Sequence, residues 1–351
     1  MHNTSRTLIA LLAITTTILV GWVLHVGASI LQPLVIAFLL ASMLQPVIVR
    51  LARLKIPPTI AVMFLVALIG LGLAQAGLML QSSIADFFDS SGADTLVDGI
   101  RQQLAKSSIP QQVQDLVVNS LDQADLQGLA GELIGGGVGF AKGLLLIMIY
   151  MSFIFAEQKI FKSKILSIAG DRQEEASEML EKMGRGLQRY LSVKTVVSLL
   201  TGSLCYLVLI MCDVPYALMF GLLTFMLNYI PTFGSIIAAF FPTITALGNG
   251  EPWSVALTVM GSYLAINLTL GSYIEPKILG RELNLSPLVV VVSVVVWAGI
   301  WGVVGAFLAV PLTSAIQIML LSSERTRSVA ILLSIGPKAY SPSPSSSSSG
   351  S

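Results

Sequence analysis

The stretch that decides the fold is residues 214–250, VPYALMFGLLTFMLNYIPTFGSIIAAFFPTITALGNG, which contains no Asp, Glu, Lys or Arg. A helix crosses the hydrocarbon core of a bilayer with about 20 apolar residues, and this stretch is nearly twice as long. Its middle contains Pro231, which lacks a backbone donor, and Gly234, which permits a turn. The pattern therefore predicts two helices joined by a break at 228–234. Because lipid cannot satisfy free backbone groups, such a break is expected where it is buried in protein or lines a cavity.

A second long apolar stretch, residues 283–323, follows a candidate uninterrupted helix at about 253–274. This stretch is also too long for one span, so we expect a second broken hairpin. If both stretches turn back as re-entrant hairpins, Lys277 and Arg281 lie on the cytoplasmic side, as the positive-inside rule favours; if both stretches cross once, these residues lie outside. The re-entrant arrangement makes 195–323 an inverted-topology pair, an architecture that places substrate and ions at broken helices. The expected helix breaks in the second stretch are Gly299, Gly302, Gly305 and Pro311.

The composition supports membrane residence along the whole chain. Hydrophobic residues make up 54% of the 351 residues and charged residues only 11%, whereas about a quarter of a soluble domain is charged. Further charge-free stretches cover 7–49, 56–85, 195–212 and 252–274. The sequence therefore predicts an all-α polytopic membrane protein with about eight membrane helical segments.

The polar connectors set the expected organisation along the chain. A break at 25–29 divides the first stretch into two helices, and the basic connector 50–55 is expected to be cytoplasmic, as are both termini. The amphipathic pattern in 157–194 predicts a cytoplasmic helix lying at the membrane surface. The expected segments are membrane helices 1–3 in 1–80, an extracytoplasmic helical segment in 81–136, a fourth membrane helix in 137–156, the cytoplasmic amphipathic segment in 157–194, a C-terminal transport core in 195–323, and a cytoplasmic, largely disordered tail in 324–351.

The ionisable residues argue against catalysis. The two histidines, His2 and His25, lie in an N-terminal tail and a turn and cannot form a metal cluster. The glycine-rich stretch 135–139 lacks the Lys-Ser/Thr of a phosphate loop, and no basic stripe suits nucleic acid. We therefore expect no enzyme activity, no metal site, no cofactor and no nucleic-acid partner. No Asp or Glu falls in the middle of any span, which argues against a proton pump built on central carboxylates.

The first break carries candidates for a substrate or ion path. Asn228 and Tyr229 need hydrogen-bond partners in a bilayer, so they either line the path or join neighbouring helices. Backbone carbonyls around 229–233 are further candidates to bind a polar substrate or a cation. Pro231 and Gly234 complete the candidate set at this break.

Glu275 is the main candidate ionisable group of the C-terminal half, and Asp213 is a second group that could couple transport to an ion. Glu275 lies two helical turns after Asn267, on nearly the same face, which makes both residues candidates for the path. Glu275 either couples transport to an ion or forms an interfacial ion pair with Lys277 or Arg281. Thr313 either caps the helix that resumes after the last break, which we favour, or lines the path.

The C-terminal motifs resemble those of the autoinducer-2 exporter family. They are YLSVKT at 190–195, LNYIPTFGS at 227–235, IEPKILGR at 274–281 followed by LNLSP at 283–287, and GVVGAFLAVPLT at 302–313.

The resemblance implies a bacterial inner-membrane exporter that forms homo-oligomers, pentamers among them, and contacts membrane lipid. Such an exporter moves a small polar molecule across the membrane, with an ion gradient as the driving force. The resemblance implies that this molecule is autoinducer-2, a signal used in quorum sensing. Transport would proceed by alternating access at a site between the two broken hairpins. The resemblance also gives Glu275 and Arg281 roles in gating or coupling. A sodium (or cation)/proton antiporter is the alternative within the family, and an oligomeric channel or a non-transporting scaffold acting through 157–194 is the alternative of another class.

Overall fold

The computed structural model of the chain describes residues 2–89, 92–106, 110–122, 126–248, 252–279, 285–321 and 326–336. Nearly all of these residues are helical, and the strand-like pairing in this part of the chain is one isolated bridge between Leu285 and Ser334. The helices are α1 His2–Val26, α2 Ala28–Arg53, α3 Pro58–Asp89, α4 Gly92–Lys106, α5 Gln111–Asp122, α6 Leu126–Ala169, α7 Gln173–Met211, α8 Ala217–Leu227, α9 Phe233–Gly248, α10 Trp253–Asn267, α11 Glu275–Leu279, α12 Pro287–Leu321 and α13 Arg327–Leu332.

The helices have the length and composition of membrane segments. Many of their large apolar side chains face outward, such as Val303, whose side chain is 74% exposed. Lipid rather than water suits such surfaces. The prediction of an all-α polytopic membrane protein is therefore confirmed. Five helical runs are long and apolar enough to cross a bilayer, and three shorter apolar helices accompany them: Ala28–Arg53, Thr59–Phe87, Ala141–Met211, Trp253–Leu279 and Pro287–Leu321, with Ile14–Val26, Ala217–Leu227 and Phe233–Gly248.

The segment 157–194 differs from its prediction. In place of one surface helix, it contains the end of α6 and the beginning of α7, which are joined by a short 3₁₀ turn. Gly170 has a φ of 55° there, a left-handed conformation that ends α6. Lys162 of α6 and Glu181 of α7 form an ion pair at 3.3 Å across this turn. The amphipathic pattern therefore belongs to a helical hairpin.

The chain divides into two compact units. The first unit contains Met1–Ala28, Lys159–Tyr190 and Leu279–Ser351, and the second contains Ser29–Gln158 and Leu191–Ile278. The broken stretch 214–250 thus belongs to the second unit and the stretch 283–323 to the first. Each unit is described by itself.

In the first unit, α12 is a tight helical hairpin. Its backbone leaves the helical conformation at Gly302, where φ is 63° and ψ is −143°. The Trp297 indole Nε1 donates a hydrogen bond of 3.1 Å to the Thr313 hydroxyl oxygen, although a straight helix would separate these residues by about 24 Å. The chain therefore folds back on itself at Gly302. The second arm also contacts α13, where the Gln317 side chain donates to the Ala330 carbonyl at 3.3 Å.

In the second unit, α8 and α9 form the other hairpin, and α9 also packs against α4 and α10. After α10 the backbone forms a π-helical segment, Leu268–Ile274, before α11 begins. The stretch 253–274 is therefore helical throughout, as expected, but its last third is wider than an α-helix. Short π-helical segments occur often at functional sites.

Candidate functional site

The second unit contains a polar face of α7. Lys194, Thr195 and Ser198 are spaced so that they fall on one side of the helix. Lys194 and Ser198 are buried, and Thr195 is half-buried. On this face α7 contacts both the break of the first hairpin and the beginning of α11. The geometry therefore joins two features that the sequence treats separately.

Lys194 forms a buried ion pair with Glu275. The Lys194 ammonium lies 2.8 Å from Oε1 and 2.9 Å from Oε2 of the carboxylate. The two side chains are only 6% and 12% exposed. Of the two partners considered for an interfacial ion pair, Lys277 does not bind Glu275, because residues two apart on a helix point to different sides, and Arg281 lies outside the described residues. Lys277 instead lies over the ring of Tyr273, 5.7 Å from its centroid.

Asn228 and Tyr229 bond to the same face of α7. The Asn228 amide donates to the Ser198 hydroxyl at 3.0 Å, and the Tyr229 hydroxyl lies 2.6 Å from the Thr195 hydroxyl. Thr195 donates its proton to the Leu191 carbonyl at 2.7 Å, so Tyr229 is the donor to Thr195. The break is thus held to α7 by two polar contacts next to the ion pair.

The turn of the first hairpin is made differently from the prediction. Thr232, and not Gly234, adopts the left-handed conformation, with a φ of 66°. Gly234 begins the second arm against the Leu227 carbonyl, and a Cβ on it would lie 1.8 Å from that oxygen. A glycine is needed at position 234 because the two arms approach each other too closely there for a side chain. Pro231 lies in the turn, and its carbonyl accepts the Phe233 N–H at 2.7 Å.

The other described candidates have contacts of their own. The Asn267 side chain donates to the Tyr263 carbonyl of its own helix at 2.9 Å, just before the π-helical segment. Thr313 lies inside the second arm of α12 and accepts from Trp297, so the favoured capping role is wrong. The helix continues through Pro311 because the change of direction occurs earlier, at Gly302. Arg281 lies outside the described residues.

Gly299 and Gly305 occupy different places in the second hairpin. A Cβ on Gly299 would meet nothing within 4 Å, and this residue lies inside the first arm. A Cβ on Gly305 would lie 1.9 Å from the Trp297 carbonyl oxygen. Gly305 is therefore the contact residue between the two arms.

Three site residues were missed from the sequence: Lys194, Thr195 and Ser198. Their signal is present, since Lys194 is the last charge before a long apolar stretch and the two hydroxyl residues follow it at helical spacing. What the sequence does not show is the partner of each residue, because Glu275 lies 81 positions away.

The comparison with known families agrees with this architecture. A family described as "AI-2E family transporter" matches residues 8–325. The chain belongs to the AI-2E transporter family. A Haemophilus influenzae protein named "Putative transport protein" is 29% identical over 343 residues, which cover 94% of this chain and 97% of that protein. The "AI-2 transport protein TqsA" of Escherichia coli is 29% identical over 333 residues, which cover 93% and 95%. This AI-2E family member is thus a multi-pass membrane transporter.

Proposed function

We propose that this AI-2E transporter is a secondary exporter of the bacterial inner membrane, that its cargo is a small polar molecule of the autoinducer-2 type, and that an ion gradient drives it. The name of the Escherichia coli relative, which describes it as an AI-2 transport protein, supports the choice of cargo. The homo-oligomeric state implied by the family resemblance is part of the same proposal. The sequence match over nearly the full length of both chains supports a shared transport mechanism.

The observation that carries the proposal is the Lys194–Glu275 ion pair beside the first helix break. A buried ion pair is costly to desolvate, and removal of one partner leaves an uncompensated charge. Ionisable groups at membrane depth mark ion pathways and proton relays. A cation or proton that reaches Glu275 would compete with Lys194 for the carboxylate. Release of Lys194 would then change the face of α7 to which Asn228 and Tyr229 are hydrogen-bonded.

The dimensions of the first hairpin support a re-entrant segment. The 11 residues of α8 extend about 16 Å, and the 16 residues of α9 about 24 Å. Both are shorter than the hydrocarbon core of about 30 Å. The break between them would therefore lie within the membrane, where transporters of broken-helix type bind substrates and ions.

The same ion pair also supports a second candidate, a sodium (or cation)/proton antiporter. Both oxygens of Glu275 bind an ammonium group, and a hard metal cation prefers the same carboxylate oxygens. In this case the cation itself would be the cargo. The two candidates differ in whether the ion gradient is dissipated without the organic solute.

Flux measurements in proteoliposomes test the proposal. Vesicles with defined sodium and proton gradients are assayed for autoinducer-2 efflux with the wild type, Glu275→Gln, and the control Glu178→Gln, which changes an exposed carboxylate on α7, the helix that carries Lys194. We expect saturable, gradient-dependent flux that falls at least about tenfold in Glu275→Gln, equivalent to ~1.4 kcal/mol of barrier, and is unchanged in Glu178→Gln.

Three outcomes would overturn the proposal. Undiminished flux with Glu275→Gln would remove the coupling role of the ion pair. Gradient dissipation without autoinducer-2 movement would assign the antiporter. Large single-channel currents would assign a channel.

A further inference from the structure

The second arm of α12 carries a buried polar face that the ion pair does not explain. Thr313 and Gln317 have hydrogen-bond partners in the first arm and in α13, respectively. Ser314 lies between them on the same face and is only 1% exposed. Its hydroxyl is the one buried side-chain polar atom without a hydrogen-bond partner among the residues that the structure describes.

An unpartnered buried hydroxyl is unfavourable, so native proteins rarely keep one. A helical hydroxyl normally has a simple solution, which is to donate to the carbonyl four residues earlier. The buried residues Thr201 and Thr224 do so at 2.8 and 2.7 Å. Ser314 makes no such bond. Its hydroxyl is therefore available to a group that enters the site.

The composition of the α12 hairpin itself favours an uncharged ligand. The 35 residues of α12 contain no Asp, Glu, Lys or Arg, so a bound ion would find no compensating charge on this hairpin, which is costly in a membrane. The rings of Trp297 and Trp301 lie 5.5 Å apart at the fold of the hairpin, and the Trp297 indole bonds to Thr313, the neighbour of Ser314. Aromatic surface with a few hydroxyl groups is typical of sites for small neutral molecules.

We infer that Ser314 is a substrate-binding residue, whose hydroxyl hydrogen-bonds a small, uncharged, hydroxyl-bearing solute on the second arm of the α12 hairpin. This inference rests on the proposed export function and adds the chemical class of the cargo and a residue that binds it. It assigns ion coupling and cargo binding to different residues, with Glu275 for the former.

Thermal-shift and equilibrium-binding measurements on the purified full-length protein in detergent test the inference. The probes are autoinducer-2 and, separately, sodium chloride compared with choline chloride. Without ligand, Ser314→Ala should leave the thermal midpoint unchanged or raise it, because the substitution removes an unsatisfied buried hydroxyl. With autoinducer-2, the variant should bind about tenfold more weakly, the loss expected for one hydrogen bond.

The matched control is Ser334→Ala. Ser334 is also buried in the first unit, but its hydroxyl donates to the Ile331 carbonyl at 2.7 Å. This substitution should lower the thermal midpoint and leave autoinducer-2 binding unchanged. The two serines thus separate a binding role from a purely structural one.

Several outcomes would overturn the inference. Two of them concern autoinducer-2: Ser314→Ala and the wild type bind it equally, or it does not shift the thermal midpoint of the wild type. The third is a sodium-dependent shift of the thermal midpoint that Ser314→Ala abolishes. The fourth is a lower thermal midpoint of Ser314→Ala without ligand. Binding in detergent requires no gradient, so it can fail while Glu275-dependent flux persists. Failure of the inference is therefore distinguishable from failure of the proposed function.

Discussion

Gly234 lies against the carbonyl oxygen of Leu227, where the second arm of the first hairpin begins. Gly305 has the same relationship to the carbonyl of Trp297 in the second hairpin. In each case a β-carbon would lie less than 2 Å from the oxygen, a distance that no packing tolerates. Both hairpins thus close on a glycine that begins the returning arm.

Gly234→Ala should open the first hairpin. The added methyl group meets a backbone oxygen, which cannot rotate away as a side chain can, so we expect overpacking that costs about 1–3 kcal/mol and a loss of transport. Thermal unfolding in detergent and vesicle flux measure the two effects. The control is Gly261→Ala, since a Cβ at Gly261 meets nothing within 4 Å. Equal stability of the two variants would contradict the close approach.

Substitutions of Lys194 and Glu275 should have strongly non-additive effects on the free energy of unfolding. Lys194→Met or Glu275→Gln alone breaks a buried pair, at a cost of about 3–5 kcal/mol for an uncompensated charge. The double variant removes both charges and should recover much of that stability. A double-mutant cycle on the free energy of unfolding measures the coupling. Additive single effects would show that the two side chains do not interact.

The two polar contacts of the first break should differ in strength. Asn228→Ala leaves the buried Ser198 hydroxyl without this donor and should cost about 1–3 kcal/mol, whereas Tyr229→Phe leaves Thr195 bonded to Leu191 and should cost about 0.5–1.5 kcal/mol. Thermal midpoints should follow the same order. Tyr273→Phe is the control, because the Tyr273 side chain is 66% exposed. The reverse order would show that Tyr229 is the main anchor.

The α6–α7 hairpin should lose stability in acid. Hydrogen bonding to Lys162, the Lys162 charge and then Arg185 hold the pKa of Glu181 below its ordinary value of 4.5. A lowered pKa means that this stabilisation is present above pH 4.5 and is lost as the pH falls through the folded-state pKa. The effect should be small and should vanish at high salt, since the pair is exposed.

The contribution is measured as the difference in thermal midpoint between the wild type and Glu181→Gln, determined over a range of pH. The difference should shrink below pH 4.5 and at 1 M salt. Glu178→Gln provides the comparison at an exposed carboxylate of the same helix. A wild-type minus Glu181→Gln difference that is independent of both pH and salt would show that the ion pair contributes nothing.

Single-cysteine labelling should distinguish re-entrant from spanning segments. In a background without Cys205 and Cys212, a re-entrant 214–250 places Glu251→Cys outside, where an impermeant maleimide reaches it in intact cells. Arg281→Cys should react only after permeabilisation. Asp213→Cys is the positive control because both topologies place it outside. External labelling of Arg281→Cys would contradict the re-entrant topology.

The sequence predicts the fold where the cause is local. Charge-free length identifies membrane helices, and Pro231 and Gly302 mark the two places where the chain turns back, because a missing donor or a positive φ acts on the nearest residues. Local signals do not fix which residue adopts the left-handed conformation. That residue is Thr232, since Gly234 is needed for contact between the arms.

The site was less predictable than the fold. Asn228, Tyr229 and Glu275 are recognisable as polar groups in an apolar chain, but their partners on α7 depend on tertiary packing. Proximity in sequence made Lys277 and Arg281 the candidate ion-pair partners of Glu275. Helical geometry excludes Lys277, which is two residues away, and tertiary packing supplies Lys194 of α7 instead.

The separation of Lys194 from Glu275 has a consequence for biogenesis. After Lys194 the ribosome must add 81 residues to reach Glu275, which takes about 4 to 16 seconds at roughly 5–20 residues per second. During that interval the lysine has entered or approached the bilayer without its counter-ion. The nascent chain must shelter this charge, through the translocon or by the reach of the lysine stem to the headgroups, until the later helix arrives. Insertion of the run Trp253–Leu279, which carries Glu275, is then the step that commits the C-terminal half to its final topology.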